Sequence, residues 1–266
     1  MKRDDARFLD AGGIKTRYFD QGDGDTLILI HGGSYGFYAT SMDWNTVFDN
    51  LSQSFRVIAF DKLGQGYTDN PKNDGDYRIA STYYHTNDFV KALNLKNIHI
   101  VGHSRGAYPA ARLAMEHPDL VKSLIIVDSG TMMWTHNNWY NEVDERADKI
   151  DDVTDKLKYT LSANCFTKNH ISGEWLEDVK EVYKLPKCQE AFAKHSAIFS
   201  DFEDDLGKWQ QQFHANIRNG KLTTPVLIVW GYNDPSSPMH TVGQNVMKLF
   251  FSNLPNRMNW TPPPFD

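Results

Sequence analysis

The stretch IHIVGHSRGAYPAARLAMEH, residues 98–117, decides how this chain folds. It opens on a short unbroken apolar run, residues 98–101, of the kind buried on both faces of a parallel sheet. It continues as a helical pattern over residues 105–117, stopped by Pro118. Between the two stands Gly102-His103-Ser104-Arg105-Gly106. A strand that turns into a helix this abruptly brings neighbouring backbone close, and glycine at both flanks leaves the room. The central residue is forced into a strained conformation. Its hydroxyl is held up at the sheet edge beside a helix N-terminus, whose positive end favours negative charge on a reacting group. The plain alternative is a tight turn with an N-capping serine. The strand before and the helix after favour a nucleophile at Ser104.

Working outward, similar apolar runs stand at residues 26–30 (TLILI), 55–60 (FRVIAF), 124–127 (LIIV) and 226–230 (VLIVW). Residues 7–20 read as a hairpin around Gly12-Gly13, and residues 83–93 as a helix. Strand and helix alternate, which argues for an α/β fold with right-handed crossovers and a mostly parallel central sheet. The rhythm breaks after Asp128. Residues 130–217 hold no buried-strand run and read as mostly helical, rich in charge, Trp and Tyr. We expect a core of residues 1–129 and 218–266, with residues 130–217 as a helical cap over the C-terminal strand ends, where open α/β sheets bind ligands. A helical layer packed on the sheet is the alternative.

The 266 residues are 40% hydrophobic and 23% charged, with a net charge of −6. That suits a folded, soluble domain. No basic block points to nucleic acid, and no apolar run approaches the ~18 residues of a membrane span. Two cysteines, Cys165 and Cys188, build no disulfide scaffold and match no zinc spacing. The N-terminus has no secretory character, so a cytoplasmic location is expected.

A serine nucleophile needs donors aimed at a developing oxyanion. The amide of Arg105 is one candidate. The other is Gly33, in His31-Gly32-Gly33-Ser34 at the end of the 26–30 strand. His31 reads as structural rather than as a base. An acid that orients an imidazole belongs after a later strand. Asp234, in Gly231-Tyr232-Asn233-Asp234-Pro235, is preferred over Asp128. Gly32, Ser34, His103 and Trp134 are the candidate substrate contacts around this core. The acidic run DFEDD at 201–205 reads as solvated surface.

Together HGGS, the DKLGQGYTDNP run at 61–71, VGHSRGA, LIIVDSG and VWGYNDPSSP resemble the α/β-hydrolase superfamily, and within it the meta-cleavage-product hydrolases. The resemblance implies a cofactor-independent enzyme. It gives Ser104 as nucleophile, Asp234 as acid, and the amides of Gly33 and Arg105 as oxyanion hole. It further implies a small-molecule substrate, in that branch a vinylogous 1,5-diketone cleaved at a carbon–carbon bond.

The chain departs from the pattern in two places. The family's histidine, expected roughly 28 residues past the acid, has no counterpart: His240 is the only histidine after Asp234, and the tail reads NRMNWTPPPFD. That tail cannot supply the closing strand and helix, so both are expected to be missing, and a truncated or frameshifted end is the first explanation. The cap stretch 171–183 also lacks the arginine that holds the dienoate carboxylate in those enzymes, leaving Lys180 as the nearest cation. A carboxylesterase, or an impaired hydrolase-fold protein that binds a hydrophobic ligand, are the competing functions. Formation of a homo-oligomer is left open by the sequence.

Overall fold

The computed structural model describes residues 1–134, 138–168 and 170–251. The expected strands form: β1 (Arg7–Asp10), β2 (Lys15–Gln21), β3 (Thr26–Ile30), β4 (Arg56–Phe60), β5 (Ile98–His103), β6 (Val121–Val127) and β7 (Val226–Val229). They make one sheet in the order β1-β2-β4-β3-β5-β6-β7. The hairpin β1–β2 and the β2–β4 pair are antiparallel, and every pair from β4 through β3, β5 and β6 to β7 is parallel.

Alternation along β3 shows why these runs are so apolar. Ile28 and Ile30 pack into one hydrophobic layer while Leu27 and Leu29 pack into the other. A strand buried on both faces has no side chain to spare for water. The first layer is completed by α2 (Ile79–Ala92), α3 (Ala107–Glu116) and α9 (Gln244–Phe251), through residues such as Phe89, Leu113 and Phe250. The second receives Phe48 of α1 (Asn45–Leu51).

Between β6 and β7 come α4 (Trp139–Ala147), α5 (Val153–Ser162), α6 (Gly173–Lys184), α7 (Pro186–Ala197) and α8 (Phe199–Arg218). These helices divide their packing. Trp175 and Val179 of α6 join the second layer, whereas Phe202, Phe213 and Ile217 of α8 join the first. The acidic run at the start of α8 departs from the solvated reading. Asp201 and Asp205 both accept from the Arg78 guanidinium, at 2.7 and 3.1 Å, and Phe202 between them is buried. One face of the run is ion-paired to the N-cap of α2 while the aromatic points inward.

A buried ion network fastens α6 to the sheet. Arg17 of β2 forks between Asp61, at the end of β4, and Asp178 of α6. All three are essentially solvent-free. Burial alone would push the Asp61 carboxyl up, but the Arg17 guanidinium outweighs it and holds the group below its ordinary range.

At the far edge, Leu227 and Val229 of β7 are about half exposed (56% and 47%). The NRMNWTPPPFD tail, and with it the expectation about a closing strand and helix, lies outside the described residues. Among the described residues no helix is long and apolar enough to cross a membrane.

Candidate active site

The turn between β5 and α3 is as abrupt as its glycines suggest. Residues Ser104–Gly106 form a single 3-10 turn, and α3 starts only at Ala107. Ser104 has φ +50°, a left-handed conformation that an L-residue adopts at a cost of order 1–3 kcal/mol. Neither flanking glycine tolerates a side chain. A Cβ on Gly102 would meet the backbone of Ala107, and one on Gly106 would meet the carbonyl oxygens of Ile30 and His31. The elbow is further tied by Ser129, whose hydroxyl donates to the Ser104 carbonyl at 2.7 Å.

The loop after β3 lies directly against this turn. A Cβ on Gly32 would stand 3.0 Å from Ser104 Cβ and 3.1 Å from His103 Nδ1. Gly33 is left-handed at φ +75°, with Gln65 Nε2 and Ala39 Cβ crowding the place of a side chain. The loop is held from behind. The Lys62 amide donates to His31 Nε2 at 3.0 Å, so the ring proton sits on Nδ1 and is donated to the Gly32 carbonyl at 2.9 Å. His31 is fully buried, and burial pushes its pKa down to about 3. The sequence reading of His31 as structural fits these contacts.

Gly33, Ser34, Lys62, Gln65, Arg105 and Phe202 line one narrow cavity of about 10 Å³, room for about one water molecule. The Arg105 side chain stacks 4.8 Å over the Phe202 ring. Lys62 donates from Nζ to the Gly33 carbonyl at 2.8 Å. Burial, reinforced by the charge on Arg105, pushes its ammonium down to about 7. Ser34 donates to His195 Nε2 at 3.0 Å, since the other ring nitrogen faces the Tyr77 carbonyl at 3.3 Å.

Two carboxylates stand together in the loops after β6 and β7. Asp128 is left-handed at φ +42° and accepts the Gly231 N–H at 2.8 Å. Asp234 accepts from the Ser236 amide and hydroxyl, both at 2.7 Å, and from the Ser237 amide at 3.2 Å. Burial first, and the neighbouring Asp234 with it, push the Asp128 carboxyl up. The two acid positions that the sequence offered as rivals are therefore neighbours. His103 packs edge-on to Trp44; burial pushes its pKa down to about 4 although Asp234 draws it upward.

The remaining candidates lie elsewhere. Lys180 donates to both carboxylate oxygens of Glu177 on its own helix, at 3.0 and 3.1 Å, and does not line the cavity. Trp134 is 63% exposed, its ring over Gly207 of α8. Lys62, Gln65 and His195 were not singled out from sequence. The first two lie in the DKLGQG run, and a lysine or glutamine there carries no local sign that it turns inward. Among the described residues no histidine bonds the Ser104 hydroxyl.

A family model described as alpha/beta hydrolase fold matches residues 25–259. The chain belongs to the α/β-hydrolase family. Its seven-stranded sheet with the elbow after β5 is the α/β-hydrolase fold. It is 37% identical over 246 residues to 2-hydroxymuconate semialdehyde hydrolase of Pseudomonas sp. (strain CF600), covering 88% of this chain and 79% of that one. It is 38% identical over 128 residues to 2-hydroxy-6-oxo-6-(2'-aminophenyl)hexa-2,4-dienoic acid hydrolase of Metapseudomonas resinovorans. That match spans 48% of this chain and less than half (43%) of the relative. Among solved structures, the meta-cleavage product hydrolase CumD of Pseudomonas fluorescens IP01 superposes with a TM-score of 0.72. The identity there is 24%, with 94% of this chain and 86% of that chain covered. This α/β-hydrolase thus resembles the meta-cleavage-product hydrolases in sequence and in fold.

Proposed function

We propose that this α/β-hydrolase is a cofactor-independent serine hydrolase that attacks the carbonyl of a small hydrophobic substrate through Ser104. The observation that carries the reading is the left-handed Ser104 on its glycine-walled turn, with Gly32 packed against it. Strain of this kind at a residue with a nucleophilic side chain is retained where chemistry requires it. In the reaction, the Ser104 oxygen bonds to the carbonyl carbon as its proton passes to solvent water, since among the described residues no histidine bonds the hydroxyl. The carbonyl electron pair moves onto oxygen, between the amides of Gly33 and Arg105. Collapse of this intermediate expels the leaving group and leaves an acyl-serine, which water hydrolyses. Asp234, held by three donors, is the acid of the site.

The named relatives favour cleavage of a carbon–carbon bond in a ring-opened aromatic product. In that chemistry the substrate dienol ketonises before attack, and the expelled carbon takes up a proton. A carboxylesterase is the second reading, favoured by the pairing of Lys180 with Glu177, which leaves α6 without an arginine for a dienoate.

The test compares wild type with Ser104→Ala on two substrates: a 2-hydroxy-6-oxo-hexa-2,4-dienoate, followed by loss of its visible absorbance, and p-nitrophenyl acetate. Turnover of the dienoate, reduced about 10³-fold or more in the variant, supports carbon–carbon hydrolysis. Turnover of the ester alone supports the esterase. No turnover of either by folded protein overturns both readings and leaves a ligand-binding protein.

A further inference from the structure

We propose that His195, on helix α7 between β6 and β7, is a positioning residue for the oxyanion donor at Gly33, acting through the hydroxyl of Ser34. The role rests on the reading of Ser104 as the attacking residue, and it brings into that chemistry a side chain from outside the sheet and its loops.

The loop after β3 is pressed against α7. Gly36 of that loop is left-handed at φ +70°, and a Cβ there would meet the Cys188 carbonyl oxygen and the Phe192 nitrogen, both backbone atoms of α7. Cys188, Ala191 and His195 make the buried face of the helix, as residues spaced by one turn do. The His195 ring is walled by aromatics, with centroids at 4.7 Å to Phe202, 5.4 Å to Tyr35 and 5.5 Å to Phe199. Both ring nitrogens still find a polar partner. Nδ1 faces the Tyr77 carbonyl at 3.3 Å, and a carbonyl only accepts, so the ring proton sits on Nδ1. Nε2 of the neutral ring is then an acceptor, and the Ser34 hydroxyl donates to it at 3.0 Å.

Ser34 follows Gly33 directly, so this bond ties down the segment that carries the donor. The preceding carbonyls are tied from the core: that of Gly32 accepts from His31 Nδ1, and that of Gly33 from Lys62 Nζ. Glycine brings no side chain to anchor itself, so the aim of its amide depends on such ties. An oxyanion donor is worth most when it is already aimed. His195 supplies the tie that comes from α7, and that tie needs a neutral ring. A protonated imidazole donates from both nitrogens and offers Ser34 no acceptor. Burial holds the ring below its ordinary pKa, against the pull of the Tyr77 carbonyl and with the help of the charge on Arg105. The other titratable groups around the ring bring no charge to it at neutral pH. Burial pushes the phenols of Tyr35 and Tyr77 up, and the Lys194 ammonium is paired with Asp74 and Glu190. The tie therefore holds at neutral pH and is lost in acid.

The test is the rate at which a fluorophosphonate labels Ser104, followed across pH in proteins shown to be folded by circular dichroism and thermal midpoint. At neutral pH, His195→Phe and Ser34→Ala should each label about ten-fold more slowly, part of what loss of one oxyanion donor costs. The double variant should be no slower than either, since both changes remove the same bond. His195→Gln, whose amide oxygen accepts in place of Nε2, should stay within about three-fold of wild type. The wild-type rate should carry an acid limb below about pH 6 that His195→Gln lacks, because an amide has no proton to gain. A residue that only fills space would give a glutamine variant as slow as the phenylalanine one, and that result overturns the role. So do unchanged labelling in His195→Phe and Ser34→Ala, additive losses in the double variant, or an acid limb that survives in His195→Gln; each of these spares Ser104 as the nucleophile. A folded wild type that takes no label at any pH removes the nucleophile and the role of His195 together.

Discussion

His31 holds the carbonyl of Gly32: its Nδ1 donates to that oxygen at 2.9 Å, while Nε2 accepts the amide of Lys62 at 3.0 Å. The peptide joining Gly32 to Gly33 is trans and planar, so its C=O and its N–H point in opposite directions. Fixing the oxygen therefore fixes where the Gly33 N–H is aimed. On the proposed oxyanion role of Gly33, His31 is a positioning residue for that amide and not a proton carrier. His31→Gln is expected to lower kcat for an ester about 10–100-fold, part of what loss of one oxyanion donor costs. KM should move less than about three-fold. The pH profile of kcat/KM should keep its shape above pH 5, because a histidine with its pKa near 3 is neutral throughout. A new limb in that profile would contradict the positioning role.

Gly106 tests the elbow mechanically. Its Cβ position is filled by the carbonyl oxygens of Ile30, the last residue of β3, and of His31 directly after it, backbone atoms that cannot swing aside. Gly106→Ala is expected to destabilise the fold by about 3 kcal/mol or more in urea unfolding. A loss below about 1 kcal/mol would mean that the turn is looser than described.

Asp178 tests the fastening of α6. Removing its carboxylate leaves one side of the buried Arg17 guanidinium unanswered, with Asp61 still on the other. Asp178→Ala should cost about 2–4 kcal/mol. Amides of α6 should lose hydrogen-exchange protection before those of β5. Uniform loss across the sheet would argue against a local role.

Acid stability should report on His85. The Thr16 hydroxyl donates to the Ile14 carbonyl, so it accepts from His85 Nε2, and Nδ1 is left buried without a partner. Protonating Nδ1 would create a charge with nothing to meet it; burial pushes the pKa down to about 3. The unfolded chain binds this proton near pH 6.5 and the folded one does not. The group's contribution to stability is therefore complete above about pH 6.5 and is lost as pH falls toward 3. Between pH 7 and pH 5 the loss is about 2 kcal/mol, from 1.36 kcal/mol per pH unit. His85→Leu should remove that much of the acid slope seen in denaturation midpoints. An unchanged slope would contradict the buried neutral ring.

Much of this was legible in the chain. The elbow was readable because three local signals coincide: an apolar run, two glycines around a serine, and a helix. The strands were readable because burial on both faces demands unbroken apolar runs. The extent of α2 was not, since the helix begins four residues before Tyr83, at Ile79, where the local pattern carries little periodicity. The sequence preferred Asp234 to Asp128 but carried no sign that the two carboxylates lie beside each other, because their loops meet only in the fold. Lys62, and the side chain of Arg105, were opaque for a deeper reason. What a side chain meets in space identifies such a cation, and those surroundings come from the loops after β3 and β4, from α2 and from α8. His195 was invisible on the same ground, its partners Ser34 and Tyr77 lying more than a hundred residues away.

The proposed role of Ser104 as the nucleophile is tested most directly by a fluorophosphonate probe. Intact-mass and peptide-mass measurement of the labelled protein should show one adduct, on the peptide that contains Ser104, and none in folded Ser104→Ala. An adduct on another residue, or an unmodified wild-type protein under conditions that label a serine esterase, would contradict the account.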